Sequence, residues 1–458
     1  MERPGRRLPA RQQEFPPPRP GGQPHNRLRR LWGPVVGFGL VSLATDMVSD
    51  GARPLGGPLL AQLGASALFV GLVTGAAEAA SQGLRLVFGP WADRTGKYWT
   101  FTLAGYALTA LCVPLLALTP LAGTAGLALA AVLIIGDRVG KAVRSPAKTV
   151  LLAAAVQPVG RGRGFAVHKS LDLAGALLGP LLVSAVLVAT GSLPAAFAVL
   201  VIPAAAALAI LVWLRRRVQE PGADTPAPDA DPAGFPGPEA APAAPPRGSH
   251  SGTAPAQGKA AGRPPSAISG PFILFAAAAF LWSAGLVAFG VISYHLTAAV
   301  AVPVPVVPLL YAGAMGAAAI GALASGVIYD RAGAAVLLAL PVLIAGVPVL
   351  ALAPSAGLVL AGVLVWGTAM GIQDSTVKAL VADLVPQPRQ GTAYGVFAAF
   401  EGAGALVGGA LYGSLYSARP ALIITVAALQ ATALVLLVVT LRRARHPSPA
   451  HGPADGRT

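Results

Sequence analysis

The chain has 458 residues, of which 55% are hydrophobic and only 11% are charged. Soluble domains contain roughly 25% charged residues, so the composition excludes a soluble enzyme with a large core and indicates a polytopic membrane protein. The formal net charge of +15 does not indicate nucleic-acid binding, because the positive charge lies in tails and short loops between apolar runs. Cys112 is the single cysteine, which excludes a disulfide within the chain and a thiolate metal cluster.

The N-terminal residues 1–30 contain eight arginines, several prolines and no apolar run, so we predict a disordered basic tail in the cytoplasm. The first apolar run begins near Leu31 and is too long for the core of a signal peptide. At the other end, residues 442–458 form a second predicted cytoplasmic tail.

The remaining chain consists of apolar runs that are long enough to cross a membrane, which takes about 20 residues each. They predict an all-α protein with twelve transmembrane helices, arranged as a six-helix bundle over residues 31–218 and another over 271–441. The predicted spans are 33–58, 66–89, 98–119, 123–147, 164–189, 193–214, 271–297, 304–327, 334–353, 356–381, 392–417 and 420–441.

Residues 219–270 separate the two predicted bundles and are rich in Pro, Ala and Gly. Such a segment buries too little apolar surface to fold alone, so we predict a disordered cytoplasmic linker. Lys and Arg cluster in every second loop and are absent from most of the others. By the positive-inside rule, we expect both termini and the linker to lie in the cytoplasm. The excess of Arg over Lys and the many Ala, Gly and Pro residues are typical of a high-GC bacterial coding bias, so we expect the bacterial inner membrane.

A charged motif follows the second span and recurs after the eighth. Both copies read Gly-x-x-x-Asp-Arg-x-Gly, and only the first continues with a lysine. The glycines allow a sharp turn, while the Asp and Arg can bond a following helix terminus or a neighbouring helix. We therefore predict a gate built from Gly89, Asp93, Arg94, Gly96, Lys97, Gly326, Asp330, Arg331 and Gly333.

Two further pattern matches support a duplicated chain. One is a Gly-x-x-x-Gly pair in spans 4 and 10, and the other is a longer pattern in spans 5 and 11. Small residues at this spacing let helix backbones approach closely. The predicted helix-packing residues are Gly136, Gly140, Gly175, Gly179, Pro180, Gly404 and Gly408; the partner pair in span 10 is Gly367 and Gly371.

Twelve predicted spans, a long central loop and the duplicated loop motif together resemble the major facilitator superfamily. The resemblance implies a secondary transporter with alternating access between two six-helix halves. Gly175, Gly179 and Pro180 also resemble part of a motif of proton-coupled exporters, whose trailing glycine pair is replaced here by Val183 and Ser184.

Charged residues inside predicted spans cost about 2.5–3.5 kcal/mol each at the membrane centre, so they are functional candidates. In span 1, Asp46, Asp50 and Arg53 share one helical face. Asp50 and Arg53 form a pair at the outer end, or Asp46 faces a cavity as a proton or substrate site. In span 2, Glu78 and Arg85 share a face, and Glu78 is either a proton-coupling acid or part of a structural pair.

Other candidates lie in spans 4, 5 and 11. Arg138 resembles the span-4 arginine that the superfamily links to proton coupling, whereas Arg144 is interpreted as a residue that reaches lipid headgroups. Asp172 and Glu401 occupy matching positions in the two halves. They close an inner gate by bonding the motif arginines or helix ends, or they are packing residues.

Two histidines carry weaker signals. His168 is a packing residue or a member of a proton relay. Tyr294 and His295 are interpreted as residues of the membrane interface at the outer end of span 7.

These features favour a monomeric, proton-coupled transporter of a small molecule, and export is favoured over the alternative of an uptake symporter. An enzyme would need clustered nucleophiles, bases or metal ligands, which the sequence lacks, so we expect no metal and no cofactor. A non-transporting membrane sensor is the alternative from another class.

Overall fold

The computed structural model describes residues 24–218, 220, 270–386 and 389–445. Within these ranges the chain is almost wholly helical and contains no β-strand. The predictions for the central linker and for most of both tails lie outside the described residues. The first helix begins at Pro24, inside the predicted N-terminal tail.

Nine helices precede the central segment and form the N-terminal half. They are α1 Pro24–Ala52, α2 Gly56–Gln62, α3 Ala67–Gly83, α4 Arg85–Thr95, α5 Tyr98–Leu115, α6 Gly126–Val156, α7 Arg161–Thr190, α8 Leu193–Ala198 and α9 Val201–Arg215.

Seven helices follow the central segment and form the C-terminal half. They are α10 Gly270–Gly285, α11 Phe289–Ala298, α12 Val306–Ala332, α13 Ala339–Ala351, α14 Ala356–Leu384, α15 Gln390–Ser414 and α16 Arg419–Arg445.

Ten helical runs in the described part of the chain are long and apolar enough to cross a membrane, by length and composition. Two of these runs each contain two α-helices joined by a 3₁₀ segment, namely Tyr98–Val159 and Val306–Ala351. The chain leaves helical geometry at Gly123 in the first junction and at Gly333 in the second. The all-α membrane fold is confirmed, and the count of twelve spans stays a prediction.

Four glycines with positive φ mark the two ends of the bundle. Gly96 and Gly333, the last glycines of the two motif copies, have φ values of 64° and 62°, while Gly64 and Gly191 have 82° and 65°. A side chain disfavours this left-handed backbone, so glycine is the residue that fits it. We call the end with Gly96 and Gly333 the motif end, and the end with Gly64 and Gly191 the distal end.

The two halves touch backbone to backbone near the distal end, where α3 packs on α15. A Cβ atom on Gly409 would lie 2.2 Å from the carbonyl oxygen of Gly71, and a Cβ on Gly413 would lie 2.7 Å from the Cα of Leu68. Helices in a membrane gain little from apolar burial against each other, so such close contact supplies the packing energy that holds them together.

The repeat between spans 5 and 11 is reproduced in the packing. Cβ atoms on Gly175 and Gly179 of α7 would lie 2.3–2.4 Å from carbonyl oxygens of α1. Cβ atoms on Gly404 and Gly408 of α15 would lie 2.3–2.7 Å from carbonyl oxygens of α10. Both halves therefore use the same pair of glycines to bring their first helix and their fifth span together.

The proposed repeat between spans 4 and 10 is wrong in its register. Gly136 and Gly140 of α6 pack against α5, whereas Gly367 and Gly371 of α14 pack against α12. The two glycine pairs therefore bring different neighbours together, and their match reflects small residues common to both helices.

The correct register follows from the motif glycines. A Cβ on Gly89 would lie 3.9 Å from Pro146 of α6, and one on Gly326 would lie 3.8 Å from Ser375 of α14. Pro146 and Ser375 are separated by the same number of residues as Gly175 and Gly404. Spans 4 and 10 therefore correspond in the register that matches Pro146 with Ser375.

The substitution Gly409→Ala tests the glycine contact between the halves. The added methyl group collides with the backbone of α3, and overpacking of this kind costs about 1–3 kcal/mol. We expect the melting temperature of the purified protein to fall by several degrees. Gly316→Ala is the matched control in α12, because no atom lies within 4 Å of its added Cβ. Equal melting temperatures for the two variants would contradict the contact.

Candidate functional site

The centre of the bundle contains a buried ion pair between Arg53, just after α1, and Glu78 of α3. Arg53 also points Nη1 at the hydroxyl of Tyr311 in α12, at 3.3 Å, and lies 4.0 Å from Asp50 Oδ1. The predicted pair of Asp50 and Arg53 is thus present as the weaker contact. The main partner of Arg53 is Glu78.

Tyr311 connects this cluster to the other half of the protein. Its hydroxyl donates to Asp50 Oδ1 at 2.8 Å, and its ring packs edge-on against Phe289 at 4.7 Å between centroids. The side chain is fully buried. The sequence analysis missed this residue, although a tyrosine deep in an apolar helix needs a hydrogen-bond partner.

A second ionic pair faces the same space from α6. Asp137 accepts a hydrogen bond from Ser49 of α1 at 3.0 Å, and its other oxygen lies 3.6 Å from Arg138 Nε. Asp137 and Arg138 are each only 5% exposed. The structure therefore brings the predicted Glu78 and Arg138 together and adds Asp137, which was not on the list of candidates.

These side chains surround a small cavity of about 50 Å³. Its wall is polar on the N-terminal half and apolar on the C-terminal half, where α11 contributes. The lining includes Ser49, Arg53, Thr74, Glu78, Asp137, Arg138, Phe289 and Gly290. A cavity bounded by both halves is where a solute meets both moving parts of a transporter.

A separate polar cluster lies nearer the motif end, between α1, α6 and α7. Asp172 accepts from Ser42 at 3.0 Å and from Lys169 at 2.8 Å, and Lys148 donates to Ser42 at 3.1 Å. The carboxyl of Asp46 lies within hydrogen-bonding reach of Asp172. The prediction that Asp172 bonds the motif arginines is not met in this structure, because Ser42 and Lys169, which bond it, lie on α1 and α7.

Arg85 at the start of α4 faces acids of the other half. Its charge interacts with Asp374 and Glu401, and no hydrogen bond or ion pair within 4 Å involves Arg85 in the described part of the chain. Its Nε atom is buried without a partner. Glu401 accepts from Gln373 Nε2 at 2.7 Å.

Two predictions about basic side chains at interfaces are wrong. Arg144 is 5% exposed, donates to Thr109 at 2.6 Å and lies over the ring of Tyr106 at 4.9 Å. It therefore packs on α5 instead of reaching lipid headgroups. His295 is 7% exposed and bonds Tyr416 and a backbone oxygen, so it is an interior residue. Partners on other helices satisfy both side chains, namely Thr109 and the ring of Tyr106 for Arg144, and Tyr416 for His295.

His168 is also an interior residue. It is 7% exposed, and its Nδ1 atom is buried with no hydrogen-bond partner in the residues that the structure describes. Isolated burial of this kind fits the packing interpretation better than a proton relay, since a relay needs a hydrogen-bonded chain.

The motif copies adopt the turn that the sequence predicts but not its predicted bonds. Asp93 accepts from the hydroxyl of Tyr98 at 3.3 Å, whereas the N-terminus of α5 is capped by Glu220, which accepts from Trp99 N at 3.0 Å. Residues 89–95 belong to α4, so the turn itself is confined to Gly96 and Lys97. Among the described residues, no group of three or more His, Cys, Asp or Glu could hold a metal ion.

Comparison with known proteins adds three findings. A family model described as Major Facilitator Superfamily matches residues 38–409 and 272–457. An uncharacterized protein of Mycobacterium tuberculosis strain H37Rv is 45% identical over 411 residues, which are 89% of this chain and 92% of that protein. A variant of the nucleoside transporter NupG has a TM-score of 0.64 at 13% identity, covering 89% of this chain and 99% of its own.

A second solved structure is similar over the whole length. A bacterial homologue of the human lysosomal transporter Spinster, in an inward-facing and unoccupied conformation, has a TM-score of 0.59 at 15% identity. It covers 93% of this chain and 96% of its own. At these identities the two structures show a shared fold.

Tyr311→Phe tests the bridge between the halves. The variant loses the hydrogen bond that Tyr311 donates to Asp50 and the longer one that it accepts from Arg53. A bond to a charged group is worth about 1.5 kcal/mol, so the distal contact opens at least about tenfold more often. A cysteine placed at Thr74, in a Cys112→Ala background, then reacts about tenfold faster with a maleimide. Tyr412→Phe is the control, because that hydroxyl donates to Gly285 within the same half. Identical labelling rates in both variants would disprove the bridge.

Proposed function

Because this chain belongs to the major facilitator superfamily, we propose that it is a secondary transporter, and not an enzyme, that moves a small solute by alternating access. The two halves rock about a site near the membrane centre. The central cavity between Arg53, Glu78 and Phe289 supports this assignment, since both halves contribute to its wall.

Proton coupling acts through the ion pair of Arg53 and Glu78, and this pair is the observation that carries the proposal. A proton on Glu78 removes its charge and leaves Arg53 with only the weaker contact to Asp50 at 4.0 Å, which is unfavourable for a buried cation. Arg53 then turns away from Tyr311, and the bridge to α12 weakens. Protonation of Glu78 thereby favours opening at the distal end.

A second carboxyl pair supports proton uptake from the motif end. Two carboxylates that share a site cannot both be ionised at low cost, so Asp46 and Asp172 hold one proton between them. Lys148 and Lys169 flank the pair. When the shared proton leaves, these two cations balance the second negative charge. A proton on this pair lies about one to two helical turns from Asp50.

The motif end closes when the distal end opens. Arg85 faces Asp374 and Glu401 across the halves without a bond to either in the described residues. We assign the closure of the motif end to ion pairs between these groups. The basic loops at this end support assigning it to the cytoplasm of a bacterial cell and the distal end to the outside.

The partial exporter motif supports export as the direction of transport. Gly175 and Gly179 bring α7 against α1 at the level of Asp46. The two acids that share a proton, Asp46 on α1 and Asp172 on α7, are thereby held close together. We therefore propose export by a monomer, with protons entering as solute leaves.

Glu78→Gln tests the coupling. The purified protein is placed in liposomes that contain the pH dye pyranine, and nucleosides, dipeptides, sugars, organic anions and organic cations are screened for a solute-dependent change of internal pH. We expect a signal in the wild type and at least a tenfold smaller one in Glu78→Gln, because the amide cannot carry a proton. Asp46→Asn should behave in the same way.

Asp383→Asn is the matched control, since this acid lies outside the central cluster, where it accepts from Tyr329. Its signal should equal that of the wild type. Solute uptake that leaves the internal pH unchanged in the wild type would refute proton coupling. Transport into everted vesicles that exceeds transport into right-side-out vesicles would support export, and the opposite ratio would support uptake.

Arg85→Gln tests the closure of the motif end. The variant lacks the charge that attracts Asp374 and Glu401, so the state open at the distal end becomes rarer. We expect at least a tenfold loss of transport with no fall in melting temperature, because Arg85 has no bond to lose in this state. A fall in melting temperature with full transport would contradict the assignment.

A further inference from the structure

Two cations of α6, one lining the central cavity and one interacting with charged residues that line it, have no hydrogen-bond acceptor in the described part of the chain. Arg138 lines the cavity, and its nearest carboxylate oxygen, on the adjacent Asp137, is 3.6 Å away, too far for a hydrogen bond. Lys141 lies one turn further on the same face. Among the described residues, no carboxylate oxygen lies within 4 Å of its ammonium group.

The acids near the centre, in contrast, are occupied. Asp46 lies against Asp172, and each of the other acids accepts a hydrogen bond or an ion pair from another side chain, so their negative charges are already partly balanced. Asp46 and Asp50 attract Lys141 only at longer range, since no carboxylate oxygen among the described residues lies within 4 Å of it. The donor and acceptor pairs are Tyr311 and Asp50, Arg53 and Glu78, Ser49 and Asp137, Lys169 and Asp172, and Gln373 and Glu401.

Lys141 nevertheless belongs to the electrostatic surroundings of the proton-coupling acid. The carboxylate of Glu78 interacts with three cations at once, namely Arg53, Arg138 and Lys141. Only Arg53 is in contact with it. Arg53 also lies 4.0 Å from Asp50, and Arg138 lies 3.6 Å from Asp137. Of these three cations, Lys141 is therefore the one with no carboxylate oxygen within 4 Å in the described part of the chain.

Physical chemistry restricts what completes this site. A cation removed from water is costly unless a partner compensates it, and such residues inside a membrane face a cavity or substrate path. The planar fork of an arginine binds the two oxygens of a carboxylate or phosphate, and a lysine adds a point charge. A cationic solute would meet two like charges here, and the acids that line the cavity, Glu78 and Asp137, already bond other side chains.

We propose that the transported solute is an anion, whose carboxylate or phosphate group binds Arg138 and Lys141 at the central cavity. This inference rests on the proposed transport function and adds the chemical class of the solute. Lys141 and Arg138 determine specificity, while Glu78 carries the proton. Arg53 stays paired with Glu78 and holds the bridge to Tyr311.

The first test needs no solute. Lys141→Met removes a half-buried charge that has no carboxylate oxygen within 4 Å among the described residues, so the melting temperature of the purified full-length protein should rise by about 2 °C or more. Arg53→Met removes one partner of an ion pair, and its melting temperature should fall. Arg216→Gln removes an exposed cation at the end of α9 and should leave the value unchanged. A fall for Lys141→Met would show a structural role and would overturn the proposal.

The second test uses four labelled probes with the same ring: benzoate, phenyl phosphate, benzylamine and benzyl alcohol. We expect uptake of benzoate or phenyl phosphate into liposomes, with at least a tenfold loss in Lys141→Met and in Arg138→Gln, and partial recovery in Lys141→Arg. The two anions distinguish a carboxylate from a phosphate preference. Uptake of benzylamine alone, or anion uptake that Lys141→Met leaves intact, would overturn the proposal.

The outcome also separates this inference from the proposed proton coupling. Anion uptake that depends on Lys141 but leaves the pyranine signal unchanged would confirm the solute class and refute the coupling. A proton signal that accompanies benzylamine or benzyl alcohol, but neither anion, would confirm the coupling and refute the solute class.

Discussion

The ion pair of Arg53 and Glu78 is the interaction on which the rest of the site depends, because neither charge is tolerated alone in a low-dielectric interior. Arg53 follows α1 directly, and Glu78 lies in the middle of α3, so the pair joins two helices of the N-terminal half. Through Tyr311 the same arginine reaches α12 of the other half. A change of one proton on Glu78 therefore changes a contact between the two halves.

The glycine contacts determine what this change can move. Gly175 and Gly179 hold α7 against α1, and Gly404 and Gly408 hold α15 against α10, with almost no space for a Cβ atom. Interiors packed this closely do not deform continuously but shift between discrete arrangements. Each half is therefore expected to move as a unit, and the polar bridge at Tyr311 is a contact between those units that protonation can weaken.

Much of the fold follows from the sequence, because length and apolarity decide which segments can cross a membrane. Gly96 and Gly333 were identified by the motif, and both adopt the positive φ that the turn requires. The register of spans 4 and 10 was not found, since the matched pair Gly367 and Gly371 reflects common small residues. Only the contacts of Gly89 with α6 and of Gly326 with α14 reveal the true correspondence.

The site was predicted in part. The energetic cost of a charged side chain inside the membrane identified Asp46, Glu78 and Arg138, because charges at that depth are rare and usually functional. The position of Arg144 along its helix wrongly indicated a side chain that reaches the lipid headgroups. Its partner Tyr106 lies on another helix, so the sequence around Arg144 gives no sign of the contact. Partners across long sequence separations, such as Tyr311 for Asp50, leave no local pattern and emerge only from the packing of the halves.

The cavity at the distal end offers a direct measure of the central claim. Gln62 of the N-terminal half and Ala298 of the C-terminal half line a cavity of about 260 Å³ there. Spin labels at these two positions, in a Cys112→Ala background, report the distance between the halves by pulsed electron paramagnetic resonance.

If protonation of Glu78 weakens the bridge, the wild type shows a growing population with a longer distance between these labels as the pH falls. Glu78→Gln then shows that population at every pH, because its side chain has no charge to lose. A distance distribution that does not respond to pH in the wild type, or that responds equally in Glu78→Gln, would contradict the account.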